Sequence, residues 1–141
     1  MKMTNEMHIE FAAISENEAF ARMATAAFLM YLDPGMMELE DIKTAVSEAV
    51  TNAIIHGYED REGMVHLHCG VEGKTIRIEI SDHGAGIENV EQAMQPLYTS
   101  KPEQERSGMG FTMMETFMDT VSVESRVGEG TTIIMTKSLR A

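Results

Sequence analysis

The spacing of apolar residues predicts an N-terminal strand followed by a helix. Apolar and polar residues alternate over 7–11, which is typical of a strand with one buried face. An S-x-x-E capping box at Ser15 and Glu18 predicts the start of a first helix, and Asp33-Pro34-Gly35 predicts its end. We expect the core-facing side of this helix to carry Phe20, Met23, Ala24, Ala27 and Tyr31.

A second helix is predicted from about Glu38 to His56, with Gly57 as its stop signal. Its apolar stripe consists of Leu39, Ile42, Val46, Ala49 and Ala53. The apolar spacing then changes from a helical to a two-residue period. Alternation over 65–71 and again over 76–80 predicts a β-hairpin that turns at Gly73.

The last third of the chain combines an irregular segment, a helix and two strands. Residues 87–107 contain prolines and mixed charges and predict a long loop, and such a loop in a small domain is usually functional. A third helix is predicted to open at Ser107-Gly108-Met109-Gly110, with an inward side made of Phe111, Met114, Phe117 and Met118. Closing strands are predicted at 120–126 and 131–137.

The order β-α-α-β-β-loop-α-β-β places the chain in the α/β class. It predicts a two-layer α/β sandwich, in which the helices lie on one face of a single, mostly antiparallel mixed sheet. A length of 141 residues suits one domain, so we expect residues 1–141 to form it, with a lid loop at roughly 90–107.

Composition excludes several classes of protein. The chain has 11 basic and 23 acidic side chains and a net charge of −12, which argues against direct nucleic-acid binding and leaves room for a basic protein partner. Cys69, the single cysteine, cannot form an internal disulfide, which favours a reducing compartment. No export signal is visible, and the most apolar stretch is shorter than the ~20 residues of a membrane span. These features predict a cytoplasmic protein that does not contact a membrane.

Polar side chains on the second helix form the first candidate site. Glu48 and Asn52 are four residues apart and therefore project from one face, with Thr44 and His56 beside them. A carboxylate accepts a hydroxyl proton, and an amide oxygen ligates Mg²⁺ without adding charge that repels a triphosphate. A solvated helix face is the alternative interpretation of this pair.

The second candidate is Asp82-His83-Gly84-Ala85-Gly86, which directly follows a predicted strand. Asp82 is in phase with the apolar residues of that strand and should point toward the buried face, where a carboxylate needs a donor. An adenine amine is such a donor, and Gly84 and Gly86 would let a flat base approach the backbone. An ordinary Asp-Gly turn is the alternative.

Two glycine-rich segments, near the start and near the end of the last third of the chain, complete the candidate site. The start of the third helix offers backbone N–H groups and a positive dipole end to an anion. The candidate phosphate-binding residues there are Thr99, Lys101, Arg106, Ser107, Gly108, Met109 and Gly110. In Gly128-Glu129-Gly130-Thr131, the Thr131 hydroxyl is in phase to reach the surroundings of Asp82. A helix N-cap and a strand-joining turn are the respective alternatives.

Taken in order, these four segments resemble the N-box, D-x-G-x-G box, G-x-G box and terminal G-x-G-T of the Bergerat ATP-binding fold. That fold is shared by gyrase, the Hsp90 chaperone, sensor histidine kinases and MutL. Within this group the chain is most similar to the anti-sigma-factor serine kinases, through residues 47–58, 96–102 and 105–111. Histidine kinases usually have Asn where this chain has Glu48, which supports that choice.

The resemblance implies an ATP-dependent serine kinase that binds and inhibits a sporulation sigma factor (sigma-F-like). Its implied substrate is a serine of an anti-anti-sigma protein, and its implied state is a homodimer. Asn52 would hold Mg²⁺, Lys101 and Arg106 would close over the phosphates, and Glu48 would deprotonate the serine. Arg22 is a candidate partner contact.

Three alternatives stay open from the sequence. An ATP-sensing anti-sigma module without transfer activity would not need Glu48 as a base. A detached histidine-kinase ATP-binding domain is disfavoured because no helix is left to carry a phosphoacceptor histidine. His66 and His68, two apart on one strand face, allow metal binding, although surface histidines without a ligand are the simpler interpretation.

Overall fold

The computed structural model describes residues 4–59, 61–95 and 110–140. Its strands are β1 (Asn5–Ala12), β2 (Met64–Glu72), β3 (Thr75–Asp82), β4 (Thr120–Arg126) and β5 (Gly130–Ser138). Its helices are α1 (Glu16–Leu29), α2 (Met36–Asn52), α3 (Val90–Ala93) and α4 (Gly110–Phe117). A 3₁₀ turn, Met30–Leu32, follows α1, and a π-helical turn, Ala53–Gly57, follows α2.

The five strands form one sheet in the order β1-β2-β3-β5-β4. The predicted hairpin is β2-β3, and its turn contains Gly73 with a φ of +60°. All four strand pairings among the described residues are antiparallel, so the mostly antiparallel sheet is confirmed and its parallel component is not found there. In the β3–β5 ladder, Asp82 lies opposite Thr131, which brings two candidate site segments together.

Alternating residues of the sheet pack against the helices in one apolar cluster. Ile76, Ile78 and Ile80 of β3 are 0–1% exposed, as the two-residue period predicts. Helix α2 packs against both α1 and α4, so it is the central helix of the second layer. The α/β sandwich with its helical layer on one face of the sheet is therefore confirmed.

Helix α1 differs from the prediction in its start and in its buried face. The Ser15 side chain makes no capping bond to the helix backbone, so the predicted capping box is not formed. Of the five residues predicted to face inward, four are exposed: Phe20 (49%), Met23 (59%), Tyr31 (57%) and Ala27. Ala21, Thr25 and Leu29 are buried instead. The Thr25 hydroxyl donates to the Ala21 carbonyl at 2.9 Å, which lets a polar side chain lie in the α1–α2 contact.

Helix α2 begins two residues before the predicted Glu38, and the Glu38 carboxylate accepts from the Gly35 N–H at 3.2 Å. Most of its predicted stripe is buried, namely Ile42, Val46, Ala49 and Ala53. The α-helical pattern ends at Asn52 rather than His56. The chain then widens into the π-helical turn, in which the Tyr58 N–H donates to the Ala53 carbonyl five residues earlier.

The predicted irregular segment is only partly described. Residues 90–93 form α3, a single helical turn whose N-cap Asn89 accepts from the Gln92 N–H at 3.0 Å, so the loop is not irregular there. The rest of the predicted lid, from residue 96 on, lies outside the described residues. The third predicted helix is confirmed as α4, with Phe111, Met114 and Met118 buried.

Candidate nucleotide-binding site

Glu48 and Asn52 lie one turn apart at the end of α2, as predicted. Both are partly buried, whereas Ala49 and Val50 between them are fully buried in the core. The core therefore fixes the rotation of this helix end, and the polar pair occupies the opposite side. At about 1.5 Å of rise per residue, Glu48 lies about 6 Å beyond Asn52 along the axis.

The π-helical turn joins the end of α2 to the end of β3. The Asp82 carboxyl group packs directly on Gly57, where a Cβ atom would lie 2.6 Å from Asp82 Cγ. The Gly57 carbonyl accepts a hydrogen bond of 2.7 Å from the Ala85 N–H. Gly57, predicted as a helix stop, is thus the contact between the first and second candidate segments.

Asp82 is buried, with 5% exposure. Its Oδ1 accepts from the Gly84 N–H at 2.9 Å, and the backbone of Thr131 supplies a second hydrogen bond. Burial raises the pKa of this carboxyl group above its ordinary value, while these two hydrogen bonds and the adjacent His83 lower the pKa and oppose part of the shift. A carboxyl group has about four acceptor positions, so capacity remains for one further donor.

Gly84 and Gly86 lie so close to neighbouring backbone that a side chain would not fit. A Cβ on Gly84 would lie 1.9 Å from the Gly57 carbonyl oxygen, and one on Gly86 would lie 2.2 Å from the Arg126 carbonyl oxygen. Gly86 also has a φ of +77°, which favours glycine. These two glycines therefore allow the π-helical turn, the Asp82 loop and the β4–β5 hairpin to meet, and the expectation that they leave room for a base stays a prediction.

Replacing Gly84 by alanine should destabilise the protein by about 3 kcal/mol or more, because its methyl group would overlap rigid backbone. Gly73→Ala is the matched control: its Cβ would meet nothing within 4 Å, so only the left-handed φ should cost energy, about 1–2 kcal/mol. Urea unfolding of both variants measures the difference. Equal losses for the two would contradict the close contact.

Two polar side chains that sequence reasoning missed hold the Asp82 loop in place. The Tyr58 hydroxyl donates to the Met64 carbonyl at 2.6 Å and accepts from the His83 N–H at 2.8 Å. The Ser125 hydroxyl lies 2.8 Å from the Thr131 hydroxyl and accepts from the Ile87 N–H at 2.7 Å. The Thr131 hydroxyl thus bonds to Ser125, and it is the backbone of Thr131 that reaches Asp82.

The remaining candidate residues divide into two groups. Gly110 is the first residue of α4 and is partly buried. The other phosphate-binding candidates lie outside the described residues: Thr99, Lys101, Arg106, Ser107, Gly108 and Met109. The structure therefore brings Asp82, Gly84, Gly86 and Thr131 together at the end of β3 and the β4–β5 turn, and the π-helical turn connects this cluster to Asn52 and Glu48 at the end of α2.

Arg22 links α1 to the start of this region. Its Nη1 donates to Glu18 Oε1 and to the Ser47 hydroxyl, both at 3.3 Å. Ser47 directly precedes Glu48, and the Arg22 side chain is 37% exposed. Arg22 is thus a packing residue beside the candidate site that still presents part of its guanidinium to solvent.

Comparison with known proteins decides the family. Residues 11–137 match the family of histidine kinase-like ATPase domains. The chain is 61% identical over 138 residues to the anti-sigma F factor of Anoxybacillus flavithermus, covering 97% of this chain and 94% of that protein. The chain belongs to the anti-sigma F factor family. The family member from Bacillus subtilis is 58% identical over 138 residues, with the same coverage of 97% and 94%.

Solved structures agree on the fold of this anti-sigma F factor family member. The RsbU and RsbW domains of Rv1364c from Mycobacterium tuberculosis superimpose with a TM-score of 0.69 at 22% identity, over 96% of this chain and 32% of that one. The catalytic domain of histidine kinase ThkA superimposes with a TM-score of 0.58 at 14% identity, over 94% and 96%. The family match supports an ATP-using domain of the kinase type. Within the described residues, no helix is both long and apolar enough to cross a membrane.

Proposed function

We propose that this anti-sigma factor is also a serine protein kinase that uses Mg-ATP. It binds and inhibits a sporulation sigma factor (sigma-F-like) and phosphorylates a serine of an anti-anti-sigma protein. The observation that carries the proposal is the order of groups along α2 and the π-helical turn that follows it: Glu48, then Asn52, then Gly57 in contact with Asp82.

This order suits the length of a nucleotide. Asp82 would accept from the adenine amine, because it is buried and retains acceptor capacity. At about 1.5 Å per residue, Glu48 lies about 6 Å beyond Asn52 along α2, and the π-helical turn Ala53–Gly57 separates Asn52 from the Gly57–Asp82 contact. The phosphates would then extend past Asn52 toward Glu48, and the γ-phosphate would lie at the end nearest the carboxylate.

Asn52 is suited to hold Mg²⁺. Its amide oxygen is a hard, neutral donor, the type that this ion accepts beside phosphate oxygens, and it stands in the last turn of α2. Bound Mg²⁺ neutralises charge that develops on the transferred phosphoryl group. Lys101 and Arg106 belong to the same proposal as cations that close over the phosphates, with the lid at roughly 90–107 and residues 1–141 as one domain.

Glu48 is suited to act as general base. It lies about one helical turn beyond Asn52, where an incoming serine hydroxyl would approach the γ-phosphate. A carboxylate there would orient the hydroxyl and accept its proton as the phosphorus–oxygen bond forms. A domain that only senses ATP would not need this group.

The acidic surface suits the proposed partners. A net charge of −12 attracts a basic, DNA-binding sigma factor and makes the association depend on salt. A new phosphoserine adds about −1.5 to −2 charge, which weakens its complex with an acidic kinase and releases the product. Arg22, through its exposed part, is the proposed partner contact, and the proposed state is a cytoplasmic homodimer.

Transfer of labelled phosphate tests this proposal. The purified protein is incubated with γ-labelled ATP, Mg²⁺ and a candidate anti-anti-sigma protein, and the labelled residue is mapped. Label on a serine of the added protein is the expected result. Label on histidine would instead support a detached histidine-kinase domain. Bound ATP with no transfer would support the ATP-sensing module and overturn the kinase assignment.

A further inference from the structure

The sheet face opposite the helices carries three histidines on its first two strands. His8 lies on β1, and His66 and His68 lie two residues apart on β2. We call these three residues the histidine patch. The patch lies on the opposite face of the sheet from the α2 residues of the nucleotide site, and the proposed kinase reaction does not use it.

The register of β1 and β2 places the three imidazoles together. His8 is directly opposite His68, and its ring centroid lies 6.2 Å from that of His66 and 6.2 Å from that of His68. The three side chains, with Glu79 and Ser81 of β3, line a cavity of about 320 Å³. An H-x-H pair on one strand and a third histidine on its neighbour can direct three nitrogens toward one point on a sheet face.

Carboxylates of β1 lie against two of the rings. Glu6 Oε2 is hydrogen-bonded to Nε2 of His68 at 2.8 Å, and Glu10 Oε2 lies 3.0 Å from Nδ1 of His66. In the neutral His68 imidazole the nitrogen that donates to Glu6 carries the proton, so its other nitrogen keeps a free lone pair. Metal-binding histidines have this pattern, in which a carboxylate holds the ring nitrogen that does not bind the metal.

We propose that the histidine patch binds one divalent transition-metal ion of the zinc class through His8, His66 and His68. Among the described residues, no three His, Cys, Asp or Glu side chains are already placed to hold one metal ion. Imidazoles that share a tetrahedral metal at about 2.1 Å have ring centroids roughly 5 Å apart, so His8 would have to move about 1 Å closer to each of the other two rings. Rotation of these partly exposed side chains supplies that change.

The charge around the patch favours a cation, and its imidazoles select the type of metal. Glu6 and Glu10 lie beside the patch in a chain whose net charge is −12, whereas Glu79, which also lines the cavity, is paired with the Arg77 guanidinium. Imidazole nitrogen is a good ligand for zinc, nickel and copper and a poor one for Mg²⁺, which prefers oxygen. The patch would therefore be distinct in metal preference from Asn52.

Calorimetric titration of the full, tag-free, chelator-treated chain with Zn²⁺, without nucleotide, tests the site independently of the kinase proposal. We expect one saturable equivalent, no uptake of Mg²⁺ at the patch, and a Zn²⁺-dependent rise in Tm. Replacing His8, His66 or His68 singly by Gln should lower the affinity by more than about 100-fold, and Glu10→Gln by about 10–100-fold. His56→Gln, which removes a histidine outside the patch, is the control and should bind Zn²⁺ as the parent does.

Two results would overturn the proposed metal site. Absence of saturable binding to the unmodified chain overturns the site, whether or not any variant folds. Binding that the three patch variants and the His56 variant weaken equally, or not at all, also overturns it. Urea unfolding of the metal-free variants shows whether a change in affinity merely follows a loss of fold.

Discussion

Replacing Glu48 by glutamine is expected to lower phosphoryl transfer by about 100-fold or more, the size typical of the loss of a general base. Glutamine has nearly the same shape, and the fully buried neighbours Ala49 and Val50 keep the end of α2 in place. Nucleotide affinity should therefore change little, because Asn52 and Asp82 are untouched. Single-turnover transfer and equilibrium binding of a nucleotide measure the two quantities separately.

Glu40→Gln provides the matched control for that variant. Glu40 is an exposed residue of the same helix, paired with Lys43 at 3.1 Å, so the same chemical change there should leave transfer unaltered. Undiminished transfer by the Glu48 variant would remove this residue from the proposed role. A parallel loss of nucleotide binding would show that Glu48 supports the site rather than the proton transfer.

Replacing Asp82 by asparagine should weaken nucleotide binding by roughly 10–100-fold, the value of a lost hydrogen bond to a charged group. The remaining carbonyl oxygen of the asparagine can still accept from the Gly84 N–H, so the local backbone bond is retained. What changes is the second acceptor, which becomes an NH₂ donor facing the adenine amine. Affinity for ATP and for ADP, measured by calorimetry, gives the size of the effect.

The same variant should also change how the stability of the nucleotide-free protein depends on pH. Because burial raises the pKa of Asp82, the folded state holds its proton more tightly than the unfolded state. The free energy of unfolding of the parent therefore falls as pH rises from the ordinary aspartate pKa through the raised one. Asp82→Asn lacks this term, so its stability relative to the parent should increase across that window.

Asp33→Asn controls for the loss of one acidic charge. Asp33 is exposed and has a φ of 51°, a conformation that asparagine tolerates. We expect this variant to bind nucleotide as the parent does and to show no such pH-dependent gain. Equal ATP affinity for the Asp82 variant and the parent would rule out the adenine contact.

Much of the fold followed from local patterns. The two-residue period gave β2 and β3 because each strand buries one face, and the stripe of α2 gave its orientation for the same reason. Once α2 and β3 were oriented, the positions of Glu48, Asn52 and Asp82 followed from helical and strand geometry. These residues were predictable because their direction depends on neighbours within a few positions along the chain.

Features that depend on distant contacts could not be predicted in this way. The buried face of α1 is chosen by its packing on α2, and Thr25 satisfies its own hydroxyl, so the larger Phe20 and Met23 remain outside. The backbone contact between Gly84 and Gly57 joins segments that are 27 residues apart in sequence. No periodic pattern of apolar residues indicates such a contact between distant segments.

A crystal structure with Mg²⁺ and a non-hydrolysable ATP analogue tests whether these segments form one nucleotide site. We expect the adenine amine within hydrogen-bond distance of the Asp82 carboxyl group, with the phosphates beside Asn52 and the terminal one nearest Glu48. A nucleotide bound at another surface, or bound here with its phosphates directed away from α2, would contradict this expectation.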